Sequence, residues 1–395
     1  FLFNKLITGG FRVGISQKLM TRALAHATGR NEAELAHRLM GAWDPATITW
    51  HALIEAEDHA ASASRPYPFY LAYAVEDPEE ALGNPKDWQA EWKWDGIRGQ
   101  LIIRDSVHYV WSRGEELMTD RFPEFSRAGD FIPNGTVIDG ELLVWGDGAP
   151  ENFNALQKRI GRKTVPKKLL KEAPVILYAY DLLEWQGKDI RQLSLRDRRK
   201  TLETLCENLP AEAPVKLSNT IPFTDWSTLA ETRLRARDAH AEGLMLKRKD
   251  SPYLAGRKKG DWWKWKLAPL TIDAVMIYAQ SGHGRRANLF TDFTFAVWNG
   301  DDLVPFTKAY SGLTDDEFRK ITAWVEKNTL QRFGPVRSVT PHHVFEIAFE
   351  GIQASSRHKS GVALRFPRMA RWRQDKPVQE ANSLNDLNQM LETYG

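Results

Sequence analysis

The stretch EWKWDGIRGQ, residues 91–100, sets Lys93 between two tryptophans and follows it with an Asp-Gly turn. Its flanks, WQAEWKW and RGQLIIR, alternate and are rich in aromatic and β-branched residues, which predicts two strands joined at that turn. Lys93 then stands at a strand end, either as a solvated surface charge or as a group presented for chemistry. The four residues of K-x-D-G carry little weight alone. The rest of the chain decides.

A chain of 395 residues is long enough for two or three domains, each with a sizeable core. Lys plus Arg number 54 against 51 Asp plus Glu, a net charge of +3, so no overall basicity points to nucleic acid and any such surface is local. The single cysteine, Cys206, excludes an internal disulfide framework and a multi-cysteine zinc site, and fits a reducing compartment such as the cytoplasm. Within RRKTLETLCENLP it reads as a helix core residue. The apolar stretch APVILYAYDLLEW is broken by Asp181 and predicts a buried strand, so no membrane span is expected. The start, FLFNKLITGGFRVG, lacks a methionine and a continuous apolar core before a cleavage site, and reads as a chain that begins inside a domain rather than as a signal peptide.

Residues 1–60 predict helices: Ser16 caps QKLMTRALAHATG, which Gly29 ends, and Asn31 with Glu34 forms a capping-box pattern before EAELAHRLMG. AASASRPYPFYLAY reads as a linker, which places a boundary near residue 65. From there to about 268, short strands (WQAEWKW, TVIDGELLVW, EGLMLKRK, WWKWKL) alternate with helical segments such as LSLRDRRKTLETLCENL, a mixture that predicts α+β with largely antiparallel sheets. Over 269–395, glycine-broken strands with one inserted helix, TDDEFRKITAWVEKNT, predict a small closed barrel of the OB type.

Further segments bear on Lys93. DGELL puts Asp139 and Glu141 on one strand face, LYAYDLL offers Tyr180, EGLMLK offers Glu242 and Lys247, and WWKWK puts Lys264 and Lys266 on one face. Each alone has a bland reading as an edge charge, a core aromatic or a solvated face. A lysine amine becomes a usable nucleophile where an apolar, cationic surrounding lowers its pKa, and Trp92, Trp94, Arg98, Lys264 and Lys266 are candidates to supply one.

Taken in order, KWDGIR, SRG, DGEL, YAYDLL, EGLMLK, WWKWK and the late RWRQDK resemble the signature set of the covalent nucleotidyltransferases, and within it the bacterial ATP-dependent DNA ligases of the multidomain type. The likeness extends over essentially the whole chain, because GGFRVGISQKLMTRALA is similar to the end of that family's helical DNA-binding domain and LRFPRMARWRQDK to the close of its OB domain. It implies a remnant of the helical domain over 1–64, most of that domain being absent, then an adenylation domain over 65–268 and an OB domain over 269–395. It further implies a cytoplasmic monomer that seals nicked double-stranded DNA with ATP and Mg²⁺, or Mn²⁺. Lys93 would attack the α-phosphate of ATP and carry AMP as a phosphoramidate. Glu91 would meet the adenine edge, Tyr180 would stack on the base, and Arg98 with Glu141 would hold the ribose. Arg113 would bind a phosphate of nucleotide or DNA, Lys247, Lys264 and Lys266 would crowd the phosphates, and Glu141 and Glu242 would hold the metal. Arg373 and Lys376 would meet the leaving pyrophosphate once the OB domain closes. Asp95 is equally well a residue that fixes the turn. Two other readings compete: RNA end chemistry, as an RNA ligase or a GTP-dependent capping enzyme, and an OB module attached to an inactive fold.

Overall fold

The computed structural model describes residues 15–395 apart from 16, 31, 40–43, 45, 56–62, 115, 161, 163 and 164. It divides into two compact units, Phe1–Leu267 and Ala268–Gly395. Helices Gln17–Thr28 and Glu32–Leu39 open the first, and Gly29 ends the first of them at φ +68°, a left-handed conformation that glycine adopts without steric cost. The expected caps, Ser16 and Asn31, lie outside the described residues, as do residues 60–62 of the expected linker. No helix among the described residues is long and apolar enough to cross a membrane.

Two larger sheets dominate the rest of the first unit, beside a short parallel pairing of Tyr70–Leu71 with Gly256–Arg257. One carries the strands Ile97–Arg104, Val107–Ser112, Thr136–Gly146 and Val175–Trp185, each antiparallel to its neighbours among them, with the short Val215–Leu217 added in parallel to the last. The strand Val175–Trp185 is buried along all but its last residue, which is why it reads as a continuous apolar run. Of its two acidic residues, Asp181 is met by Arg198 of helix Leu195–Glu207, whose Nε and Nη2 donate to the carboxylate at 2.8 and 2.9 Å with neither side chain exposed, and Glu184 by Arg104. The other sheet sets Trp88–Trp94, Ala241–Arg248 and Trp262–Lys266 side by side, again antiparallel. Helix Trp226–Leu234, capped by Asp225, covers one of its faces through Trp226 and Leu229 against Trp88, Leu244 and Trp263. The sheets meet through a second cluster that includes Tyr70, Trp111, Leu183, Tyr253 and Trp262. The α+β, largely antiparallel expectation is met.

In the second unit the strand Leu270–Ser281 pairs with both Phe290–Asn299 and Val344–Phe349, which in turn pair with Asp302–Ala309 and Arg368–Trp372. Helix Asp315–Lys327, held by a Thr314–Glu317 capping box, packs Phe318 and Ile321 into a core of Phe293, Phe295, Phe345 and Met369. The expected closed barrel is instead a half-barrel. The two outer strands form no ladder with each other among the described residues. Met369 N–H donates to Ser311 O at 2.9 Å, just beyond the strand end at Ala309. There Gly312, at φ +111°, lets Met369 O lie where a Cβ would be, 1.9 Å from that position, and the turn it makes ends the pairing.

His343 packs in this unit between Trp324, His342 and the edge of Trp372, with ring centroids 4.3, 4.8 and 5.0 Å away. Burial, and then His342, push its pKa down to about 4. The native state therefore keeps His343 neutral where the unfolded chain takes up a proton. Its stabilisation is present above pH 6.5 and is lost as pH falls toward 4, by at most about 2 kcal/mol between pH 7.5 and 5. Melting curves across that range should fall less steeply for His343→Phe than for the parent protein; parallel curves would remove His343 as a source of the acid sensitivity.

Candidate active site

Strand register gathers the cations. In the second sheet Lys247 lies opposite Gln89, Met245 opposite both Glu91 and Lys264, and Gly243 opposite Lys266. Alternation therefore puts Glu91, Lys93, Lys247, Lys264 and Lys266 on one face. Trp92 and Trp94 project the other way, and Trp94 is buried with its indole N–H on Ser218 Oγ at 2.9 Å. Simple alternation would send Glu242 to that opposite face, but the pairing slips between Ala241 and Leu244, a bulge that re-aims one side chain. Gly243 makes the bulge possible: its φ is +141°, and a Cβ there would lie 2.3 Å from Trp265 O. Glu242 Oε2 consequently accepts from Lys93 Nζ at 2.5 Å and lies 3.5 Å from Lys266 Nζ. Burial lowers the Lys264 pKa, and the nearby Lys93 lowers it further.

Lys247 belongs to the other end of this face. It is fully buried, donates to Glu91 at 2.9 and 3.1 Å, and sits over the rings of Tyr180 and Trp262 at 4.3 and 4.5 Å. The expected phosphate lysines are thus divided: Lys264 and Lys266 share the Lys93–Glu242 end, and Lys247 joins Glu91 and Tyr180.

The first sheet forms the facing wall. Arg98 lies opposite Glu141 in the register, yet its guanidinium turns to Asp139, donating at 3.1 and 2.7 Å. It donates as well to Tyr70 O at 2.6 Å and to Tyr253 Oη at 3.2 Å, so four of its five N–H groups are spent on protein partners. Tyr253 O–H in turn donates to Asp139 at 2.7 Å. Glu141 keeps some exposed surface but is densely surrounded, and loss of hydration pushes its pKa up to about 8 against the pull of Lys93 and Arg98, with Asp139 and Asp95 adding to the rise. Gly96, in the turn after Lys93, lies so close to this wall that a Cβ would come within 2.5 Å of Leu142 O and 2.8 Å of Glu141 Cγ. Arg113 is exposed in the turn after Val107–Ser112, tied by its backbone N–H to Arg98 O at 2.9 Å.

In the second unit, Arg373 and Lys376 converge on one carboxylate oxygen of Asp273, at 2.8 and 2.7 Å, while Arg373 also grips Asp375. Sequence reasoning missed the roles of Asp139, Tyr253, Gly96, Gly243 and Asp273. Asp139 had a signal, its period-two spacing from Glu141, and Gly243 another, a glycine inside a strand. Tyr253 and Asp273 had none, because their partners are remote in sequence.

Comparison with known proteins assigns residues 69–266 to the ATP dependent DNA ligase domain and residues 286–376 to the ATP dependent DNA ligase C terminal region. The chain is 36% identical over 409 residues to a protein of Koribacter versatilis described as "Probable DNA ligase", covering 96% of this chain and 70% of that one. It is 30% identical over 403 residues to "DNA ligase 1" of Korarchaeum cryptofilum, covering 99% of this chain and 72% of the other. A solved Lig E DNA ligase has the same fold over 78% of this chain and 100% of its own, with a TM-score of 0.54 at 19% identity.

Proposed function

The chain belongs to the ATP-dependent DNA ligases, enzymes that seal nicks, and from that premise we propose that Lys93 is the residue that carries AMP. The carrying observation is the convergence of Lys93, Glu242, Lys264 and Lys266 on one sheet face opposite Glu141. The Lys93 amine, once it has given up a proton, attacks the α-phosphorus of ATP; the N–P bond forms as the bond to pyrophosphate breaks. AMP then passes to the 5′-phosphate of a nick, and the adjacent 3′-hydroxyl displaces it. Lys264 and Lys266 neutralise the phosphates, where charge stabilisation matters more than covalent help. Tyr180, with Glu91 and Lys247 beneath it, takes the adenine end. Arg98, spent largely on Asp139 and Tyr253, fixes the wall from which Glu141 reaches the ribose. Arg113 binds a phosphate of nucleotide or DNA from its exposed turn.

The donor set also suits a divalent cation. Among the described residues no three His, Cys, Asp or Glu gather as a metal site. Two carboxylates, Glu141 and Glu242, are what Mg²⁺ uses when it keeps water and substrate phosphates as its other ligands, and Mn²⁺ accepts similar oxygens. A Glu141 carboxyl raised by burial gains from a cation nearby. When bound, the ion would neutralise phosphate charge.

The test is to incubate the protein with α-labelled ATP and a divalent metal, recover labelled protein, and chase it with nicked duplex. Label should move to DNA and the nick should close. Label from GTP alone, or chase only with RNA ends, would favour the capping or RNA-ligase reading.

Arg373 and Lys376 separate the steps, because pyrophosphate is present only while Lys93 is being charged. Arg373→Ala should label poorly with ATP yet seal a nick supplied already adenylated. An equal fall in both reactions would assign Arg373 to DNA binding or to the integrity of the second unit through Asp273.

A further inference from the structure

A hairpin in the second unit, Thr329–Phe333 with Val336–Val339, has no part in the chemistry described so far. It hangs from the strand Leu270–Ser281 through Val336–Val339 alone, so Thr329–Phe333 is an edge strand, exposed along all but its first residue. Three of its features are unusual together. Arg332 stands directly opposite Arg337, a like-charge cross-strand pair that costs stability where no anion relieves it. Leu330 and Phe333 are 62% and 55% exposed, Phe333 at the mouth of the Gly334 turn. From Lys327 to His343 the sequence holds no acidic residue, and the Arg332 side chain has no ion pair or hydrogen bond among the described residues. Arg337 is already oriented, donating to Gly334 O at 2.6 Å and lying over the Phe290 ring at 5.9 Å.

A charge on an edge strand can simply guard against pairing with another chain. That purpose is poorly served by two large apolar side chains on the same edge. A ligand that offers an anion to one face of the hairpin and an apolar edge to the other accounts for all three features, and a groove of duplex DNA is such a ligand: phosphates carry the charge, and the sugars between them present apolar edges.

We propose that the hairpin Thr329–Val339 is a DNA-contacting finger that enters a groove, the face carrying Arg332 and Arg337 meeting a backbone phosphate and Phe333, which alternation sends to the opposite face beside the Gly334 turn, meeting a sugar on the other side. The inference rests on the nick-sealing reading and adds a contact that acts on DNA and not on nucleotide. A protein partner pairing with the edge is the competing occupant. It is disfavoured by the paired arginines, which neutralise an anion but add nothing to strand pairing.

The experiment measures binding of nicked duplex across a salt series, with self-adenylylation followed in parallel. Arg332→Ala should weaken DNA binding several-fold and lower the slope of log affinity against log salt by about 0.9, the share of one phosphate. Arg332→Lys should keep the slope. Phe333→Ala should weaken binding with the slope unchanged, and all three variants should take label from ATP at the parent rate and melt with the parent protein. Unaltered affinity and slope in both Arg332→Ala and Phe333→Ala would overturn the proposal and leave the edge to a protein partner. Failure of the parent protein itself to label and seal would instead overturn the underlying reading.

Discussion

Lys93→Ala is expected to take no covalent label from α-labelled ATP under conditions that label the parent protein to completion, and to seal no nick from ATP. Three other lysines share its sheet face, so the outcome depends on why they cannot substitute. Lys247 is buried beneath Tyr180 and Trp262 and bound to Glu91, at the other end of the face from Lys93 and Glu242. Lys264 and Lys266 belong to the strand Trp262–Lys266, separated from the Lys93 strand by Ala241–Arg248. A nucleophile must approach in line and at near contact, and an offset of an ångström costs about 10²-fold. Lys93→Arg should fail as completely, because a guanidinium stays protonated at any usable pH. Both variants should still seal a nick that already carries AMP, since that step needs no lysine nucleophile. Retained acid-labile label on Lys93→Ala, mapped to Lys264 or Lys266, would overturn the assignment.

How much of this could be seen in the sequence follows from which contacts obey a local period. The strands around Lys93 were legible because WQAEWKW and WWKWKL alternate, and period-two spacing alone puts Glu91 with Lys93 and Lys264 with Lys266. Hydrogen-bonding register, which sequence does not print, then brings those pairs to the same face. Glu242 was legible as a chemical group but not as a neighbour of Lys93, since alternation sends it to the wrong side and only the bulge at Gly243 returns it. Arg98 was expected to meet the ribose. The contacts that occupy it, with Tyr70, Asp139 and Tyr253, join segments 28, 41 and 155 residues away, beyond any local pattern. The half-barrel and the Thr329–Val339 hairpin were missed for a different reason: closure depends on where one strand stops, and TLQRFGPVRSV lacks the buried face that makes a strand visible by its alternation.

The second large effect is expected at Gly96, the glycine of the K-x-D-G turn. Its backbone angle is one that other residues adopt, so conformational freedom does not explain it; proximity does. An added Cβ would lie 2.5 Å from Leu142 O, 2.6 Å from Leu143 Cδ2 and 2.8 Å from Glu141 Cγ, and the first of these is backbone in the middle of a sheet. The sheet cannot yield there without breaking its pairing with Ile97–Arg104, so in Gly96→Ala the turn must retreat and carry the end of the Lys93 strand with it. Overpacking of this kind costs about 1–3 kcal/mol of stability. The larger consequence is catalytic. Lys93 would move away from Glu141 while staying tied to Glu242, which Lys266 also approaches, so the nucleophile and the wall that positions the nucleotide would no longer address one substrate together. Single-turnover labelling with ATP, measured well below the melting temperature, should fall about 100-fold. Gly129→Ala, where the nearest atom to a new Cβ is Ile103 Cγ2 at 3.9 Å, should label as the parent does. Parent-rate labelling by a folded Gly96→Ala would mean that the distance between the two walls is set elsewhere, and that the glycine of the turn serves only the packing of the sheets.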